Sequence, residues 1–240
     1  MLHISIKPEV IFHILGQGIT NSLLASLILT VLFVALSFLF QIKSRDTNST
    51  FVFFIRYILT QLYNLYKSVL QEKVTVFFPV LGAFFFFILL SNWIGLIPGV
   101  GSILIREGHE SVPILRAATA DLNTTVALAL ISVVLIQVYG IKYIGIKKFV
   151  GKFLNFSGPI AFFTGILEIV SEISKVLSFA FRLFGNIFAG EVLISVVAFL
   201  IPILASFPFL MLEIFVGFIQ AIVFSMLSAV FLSMSTAEHH

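Results

Sequence analysis

The sequence predicts an all-α, polytopic membrane protein, and three observations carry that prediction. Of its 240 residues, 60% are hydrophobic and only 10% are charged, where an average soluble domain has about a quarter charged. With a mean hydropathy of +1.15, a soluble fold would have to present large apolar areas to water. Next, several runs reach the roughly 20 residues a helix needs to cross a hydrocarbon core about 30 Å thick. Last, none of these runs alternates like a barrel strand, and inside a bilayer only helices and closed barrels satisfy every backbone group.

The elements follow in order, as one integral-membrane domain over residues 1–240. Residues 20–42, 76–98 and 122–141 are charge-free spans. Residues 51–73 differ: Arg56, Thr60, Gln61, Asn64, Lys67, Ser68 and Gln71 recur in steps of three and four, which gathers them on one helical face. That pattern predicts an amphipathic helix lying at the membrane interface. Residues 158–200 and 204–236 are apolar almost throughout, with Pro202 and Pro208 marking the joint between them. As single helices they would run roughly 65 and 50 Å at 1.5 Å per residue, too long for an ordinary tilt near 20°. The expectation is therefore a long, strongly tilted C-terminal helical hairpin.

Basic residues supply the orientation. Lys43 and Arg45 follow the first span, Lys67 and Lys73 end the surface helix, and Lys142, Lys147, Lys148 and Lys152 follow the span at 122–141. Residues 99–121 are mixed, with Arg106 and Arg116 set against Glu107, Glu110 and Asp121. The positive-inside rule places 43–73 and 142–152 inside and 99–121 outside, with the N-terminus outside and the C-terminus cytoplasmic. No basic n-region, cleavage site or import sequence opens the chain, which fits a bacterial or organelle-encoded product.

Composition excludes other classes. Without cysteine there are no disulfides, thiolate chemistry or Cys-held metals. A net charge of +3, dispersed among apolar runs, gives no footprint for nucleic acid. His3, His13, His109, His239 and His240 form no pair with ligand spacing inside a helix, so no metal site is expected. "GLIPGVG" lacks the lysine–serine ending of a phosphate-binding loop, so nucleotide chemistry must reside on a partner.

The informative residues are the charges of the last third: Glu168, Glu172, Lys175, Arg182, Glu191 and Glu213. Each costs about 2.5–3.5 kcal/mol at mid-membrane, and intramembrane charges usually line ion or substrate paths. Lys175 and Glu168 lie seven and fourteen residues before Arg182, and Ser178 and Asn186 lie four to either side, so all five share one helical stripe. Ser171 and Glu172 flank it; Glu191, nine beyond Arg182, projects from the opposite side. Carboxylates toward each end with an arginine between them make a path with an interruption. A guanidinium keeps its proton, so it cannot relay one; it attracts carboxylates and bars cations. Glu172 and Lys175 stand at i,i+3 and could simply pair with each other, whereas Arg182 has no carboxylate three or four residues away.

"LSFAFRLFGNIFAGE" at 177–191 resembles the RLFGNxxAGE signature of subunit a of F-type ATP synthases, bacterial type. "SNWIGLIPG" at 91–99, "TADLNTT" at 119–125 and "QAIVFSMLSAVFLSMSTAEHH" at 220–240 are similar to further segments of that family, in order along the chain. The resemblance implies a stationary proton channel of the Fo part in the plasma membrane, no enzyme by itself. Its implied partners are a ring of c subunits, a peripheral stalk of b subunits, the rest of the complex and the lipid bilayer; no cofactor is implied. It also implies that Arg182 meets each ring carboxylate in turn, between two offset aqueous half-channels. Glu191, Glu213, Gln220, Asn186 and Asn92 match the outer one, and Glu168, Ser171 and Lys175 match positions toward the inner one. Many relatives carry a histidine in place of one of the two glutamates; here both Glu191 and Glu213 are glutamate. Asp121 could serve the channel mouth or cap the helix that starts at Leu122.

Two other classes fit less of the sequence. A secondary transporter should show inverted repeats, and residues 1–140 hold no second copy of the 168–191 charge pattern. A structural scaffold has no reason to keep Arg182 and the glutamates inside the membrane.

Overall fold

The computed structural model describes residues 8–14, 17–44, 49–97, 104–107, 110–153, 158–200 and 206–237. His3, His109, His239, His240, Arg45 and Pro202 lie outside them. Helices run over Asn21–Lys43 (α1), Thr50–Leu70 (α2), Val74–Ile94 (α3), Leu122–Ile144 (α4), Ile146–Phe153 (α5), Pro159–Leu200 (α6) and Ser206–Thr236 (α7). Two short antiparallel hairpins accompany them, Val10–Ile14 (β1) with Gln17–Thr20 (β2), and Leu104–Glu107 (β3) with Glu110–Pro113 (β4). Among the described residues, five stretches are long and apolar enough to cross a membrane: α1, the combined run Thr50–Ile94, α4, α6 and the body of α7. The protein is an all-α polytopic membrane protein.

Local sequence explains where elements start and stop. Thr20 caps α1, its side chain accepting from the Leu23 amide, and Asp121 caps α4 by accepting from the Asn123 amide. Gly145, at φ 87°, ends α4 in the left-handed region open to glycine. The reversal between α2 and α3 falls at Gln71, whose φ of 52° is seldom adopted by a residue with a side chain. Pro208 is the third residue of α7, inside the first turn where its missing N–H has no partner to lose.

Helix α7 is the hub, packing against α2, α3, α4 and α6. Its core contacts are mostly aromatic, Phe224 meeting Phe84 of α3 at 5.6 Å and Phe179 of α6 at 4.9 Å between ring centroids. Such edge and tilted pairs stabilise by about 0.5–1.5 kcal/mol each beyond the area they bury. Ser132 and Ser228 share a hydrogen bond of 2.8 Å between α4 and α7. Helix α1 is peripheral: Asn21, Ser22, Ala25 and Leu29 of its first turns are buried, while Val31, Val34 and Phe38 face outward. In α2 the polar residues Arg56, Thr60, Gln61, Asn64, Lys67 and Ser68 are all exposed, and Val52, Leu62, Tyr66 and Leu70 face the core.

The bundle has two distinct ends. At one, Lys73 Nζ donates to the Thr236 carbonyl at 2.6 Å and lies over the Tyr143 ring, so the α2–α3 turn and the ends of α4 and α7 meet. Short α5, with Lys147, Lys148 and Lys152 exposed, folds back there against α4 and the start of α6. The other end gathers the start of α1, the close of α3, the turn at 118–120 and the start of α4.

The hairpins and α5 were not anticipated from sequence. All three are shorter than a span, and the runs around them carry the hydropathy signal.

Candidate functional site

The charged residues of α6 fall into two clusters separated by Arg182. Near the basic end, Lys152 of α5 pairs with Glu168 at 2.5 Å, and Lys175 pairs with Glu172 at 2.7 Å. Glu172 is also an acceptor for Gln137 Nε2 of α4 at 2.5 Å, and Lys175 lies over the Phe231 ring of α7. The i,i+3 pair open from the sequence therefore forms, tied to α4 and α7. Ser171 is exposed on the same helix.

Toward the other end, Glu191 and Glu213 line one cavity with Asn92, Gly95, Leu96, Ala117 and Ile187. Its volume of about 10 Å³ is near the least that holds one water. Glu213 comes from α7 and rests on Gly190, where an added methyl group would overlap its carboxyl. Glu191 is held by Arg116, whose Nε donates to its Oε2 at 3.0 Å while Nη2 forms an ion pair with the same oxygen, also at 3.0 Å. Asn92 is partnered on both sides of its amide: it donates to the Gly217 carbonyl at 2.9 Å and its oxygen accepts from the Thr119 hydroxyl at 2.6 Å. Trp93 adds a bond to the Ile214 carbonyl. These bonds pin the α3 end and the 118–120 turn to α7 beside the two carboxyls.

Asp121 does cap the helix that starts at Leu122. One oxygen caps α4 and the other accepts from Ser22 Oγ of α1 at 2.7 Å, which locks α1 to α4.

Between the clusters, Arg182 is exposed and its Nη2 reaches Ser178 Oγ at 3.2 Å. Among the described residues it pairs with no carboxylate. Its face carries Ser171, Ser174, Ser178, Gly185, Asn186 and Ala189, with Leu177 and Phe181 beside them, all exposed. Phe179, Ala180, Leu183 and Ile187 turn the other way, into the bundle.

Gln220 stands one residue from the level of Arg182. The contacts Phe179–Phe224 and Gly190–Glu213 are eleven residues apart on each helix, which fixes an antiparallel register for α6 and α7. Gln220, four before Phe224, is then level with Leu183, four after Phe179. Its side chain is buried and makes no hydrogen bond among the described residues, a state that buried amides rarely keep without a purpose.

Chemically, the arrangement offers proton-accepting carboxyls near each end of α6 and a permanent cation between them. Among the described residues no group of three or more His, Asp or Glu could hold a metal. Sequence reasoning missed Arg116, Gln137 and Gly190. Glycine beside a glutamate was visible, but a partner 75 positions away from Arg116 leaves no local trace.

A family model described as ATP synthase A chain matches residues 23–233. The chain is similar to ATP synthase subunit a of Syntrophobacter fumaroxidans, with 35% identity over 191 residues, 78% of this chain and 72% of that protein. It is similar also to the chloroplastic ATP synthase subunits a of Stigeoclonium helveticum and Oedogonium cardiacum, each 36% identical over 170 residues, 71% of this chain. It spans 65% and 64% of their lengths, a little under two thirds.

Proposed function

The chain belongs to the ATP synthase A chain family, and from that premise we propose that it is the stationary subunit that passes protons to and from a rotating ring of c subunits. It is a membrane subunit of ATP synthase, and nucleotide chemistry belongs to the partner head. Protons enter one half-channel, ride a ring carboxyl past most of a turn, and leave by the other, so that flow turns the ring. A charge crossing 100 mV yields about 2.3 kcal/mol, so several pass for each ATP made.

One observation carries this reading: Arg182 is exposed, paired with no carboxylate among the described residues, on a face of small and apolar residues. A guanidinium facing lipid costs several kcal/mol, so that face needs a partner that brings carboxylates. Small residues beside it let another helix approach closely, as a ring of helices must. Glu191, Glu213, Asn92, Asn186 and Gln220 serve the outer half-channel, and Glu168, Ser171 and Lys175 the inner one. The 42 residues of α6 span roughly 63 Å at 1.5 Å per residue, which supports a steep tilt of α6 and α7 along the ring. A b-subunit peripheral stalk holds the chain against rotation. The basic end faces the cytoplasm of a bacterial cell, the N-terminus lies outside and the C-terminus inside.

The test is ATP-driven proton pumping in vesicles holding equal amounts of assembled complex. Glu191→Gln and Glu213→Gln keep the side-chain shape but lose the carboxylate, and each should slow pumping by roughly a hundredfold, the low end for a group placed in a proton path. The pair together should lose less than the product of the single losses, because residues on one path are coupled. Full pumping by the double variant removes both from the mechanism.

Topology has its own check. Cysteines at Arg56, Asn64 and Lys67, exposed on α2, should react with water-soluble thiol reagents from the cytoplasmic side only. Reaction from outside, or at the exposed apolar Phe53 instead, would show that α2 crosses the membrane.

A further inference from the structure

Two carboxyls face one small cavity, and among the described residues only one of them has a cation. Arg116 grips Glu191 with Nε and Nη2 on a single oxygen, and its guanidinium lies 5.9 Å from the centre of the Phe188 ring, three residues before Glu191 on the same helix. Glu213 has neither ion pair nor hydrogen bond among the described residues; its carboxyl sits against Gly190. Like charges sharing a site repel, and one guanidinium offsets one of them. Arg116 itself keeps its proton and so carries none.

The geometry points to Arg116 as the positioning residue of this pair: it tethers Glu191 to the 113–117 segment as a fixed carboxylate and leaves Glu213 as the carboxyl that takes up and releases the proton. The assignment rests on the reading of this site as part of a proton path. It gives the two glutamates different tasks. Glu191 sets the field at the cavity, and Glu213, across from it on α7, does the exchanging.

The experiment is ATP-driven proton pumping by the intact complex in vesicles, at matched amounts of assembled complex, for Arg116→Gln, Glu191→Gln, Glu213→Gln and the double variant Arg116→Gln/Glu191→Gln. Arg116→Gln should pump slower by roughly tenfold or more, the worth of a charge-assisted hydrogen bond. The double variant should be no slower than Glu191→Gln alone, because Arg116 acts through Glu191. A double variant slowed by the product of the single effects overturns the assignment, since Arg116 would then act by itself through Phe188 or its own segment. Normal pumping by Arg116→Gln, with both glutamate variants slow, overturns it too and leaves the proton path standing. Normal pumping by all four variants overturns the proton path as well. Arg116→Lys carries the same comparison where glutamine prevents assembly. Lysine keeps the charge but cannot set two donors on one oxygen from a planar edge, so its deficit should vanish in the Glu191→Gln background; a deficit that persists there overturns the assignment.

Discussion

Replacing Arg182 with alanine is expected to end proton-coupled ATP synthesis while the complex still assembles, and to let protons leak passively through it. The side chain is exposed, and its one side-chain bond among the described residues is to the Ser178 hydroxyl, so little of the described fold depends on it. On the proposed mechanism, its loss removes the fixed charge that would make each arriving carboxyl give up its proton before passing. Protonated carboxyls would then slip through in either direction, joining the two half-channels. Arg182→Lys keeps a positive charge but loses the planar five-donor fork, and a lysine ammonium, unlike a guanidinium, can release its proton away from water. Lysine should therefore fail in coupling too, with less leak than alanine at neutral pH. The measurement is ATP synthesis and passive proton flux in vesicles with equal amounts of assembled complex. Normal synthesis by the alanine variant would overturn the mechanism.

The second large effect comes from one methyl group. At Gly190 an added Cβ falls on the Glu213 carboxyl, which is the mobile end of a side chain and so can move aside. Gly190→Ala should thus leave α6 and α7 packed and the complex assembled, but drive the carboxyl out of its seat beside Glu191. Pumping should drop to about the level of Glu213→Gln, a loss of roughly a hundredfold. Gly190→Leu is different in kind, because its bulk cannot be met by one rotating side chain. Overpacking of that sort typically costs 1–3 kcal/mol, and here it falls between α6 and the hub helix, so less complex should assemble. Comparing assembled complex with pumping rate separates the two variants. Equal pumping by Gly190→Ala and the native protein would mean that the seat of Glu213 does not matter.

Much of this could be read in the sequence because membrane solvent enforces simple rules. The long apolar helices announced themselves by length, and α2 by its polar stripe from Arg56 to Ser68. The charged residues of α6 were conspicuous because each is costly where it stands. What stayed hidden was set by long-range pairing. Lys152, read as an orientation marker, reaches Glu168, and Gln137, in a run read as pure span, reaches Glu172. Arg116, in a mixed loop with no periodicity, closes on Glu191. Asp121 allowed two readings because a capping carboxylate and a channel carboxylate look alike in sequence; only the bond from Ser22 shows that both of its oxygens serve α1 and α4. The hairpins escaped because four or five residues are too few to show a period beside runs of twenty.

Because Phe179 to Gly190 and Glu213 to Phe224 are each eleven residues, the count of residues between these landmarks is itself a specification. Eleven residues are close to three whole turns, so both contacts lie on the same side of their helices. Deleting a single residue between Phe179 and Gly190 would turn everything beyond it by about 100° and draw it in by about 1.5 Å. Phe179 would stay on Phe224, while Gly190 would swing away from Glu213. Substitutions along the outward face of α6 leave this spacing untouched, whichever side chain they bring. Over evolutionary time the segment is therefore free to change letters but not length, and an insertion or deletion there is expected only with a matching one in α7.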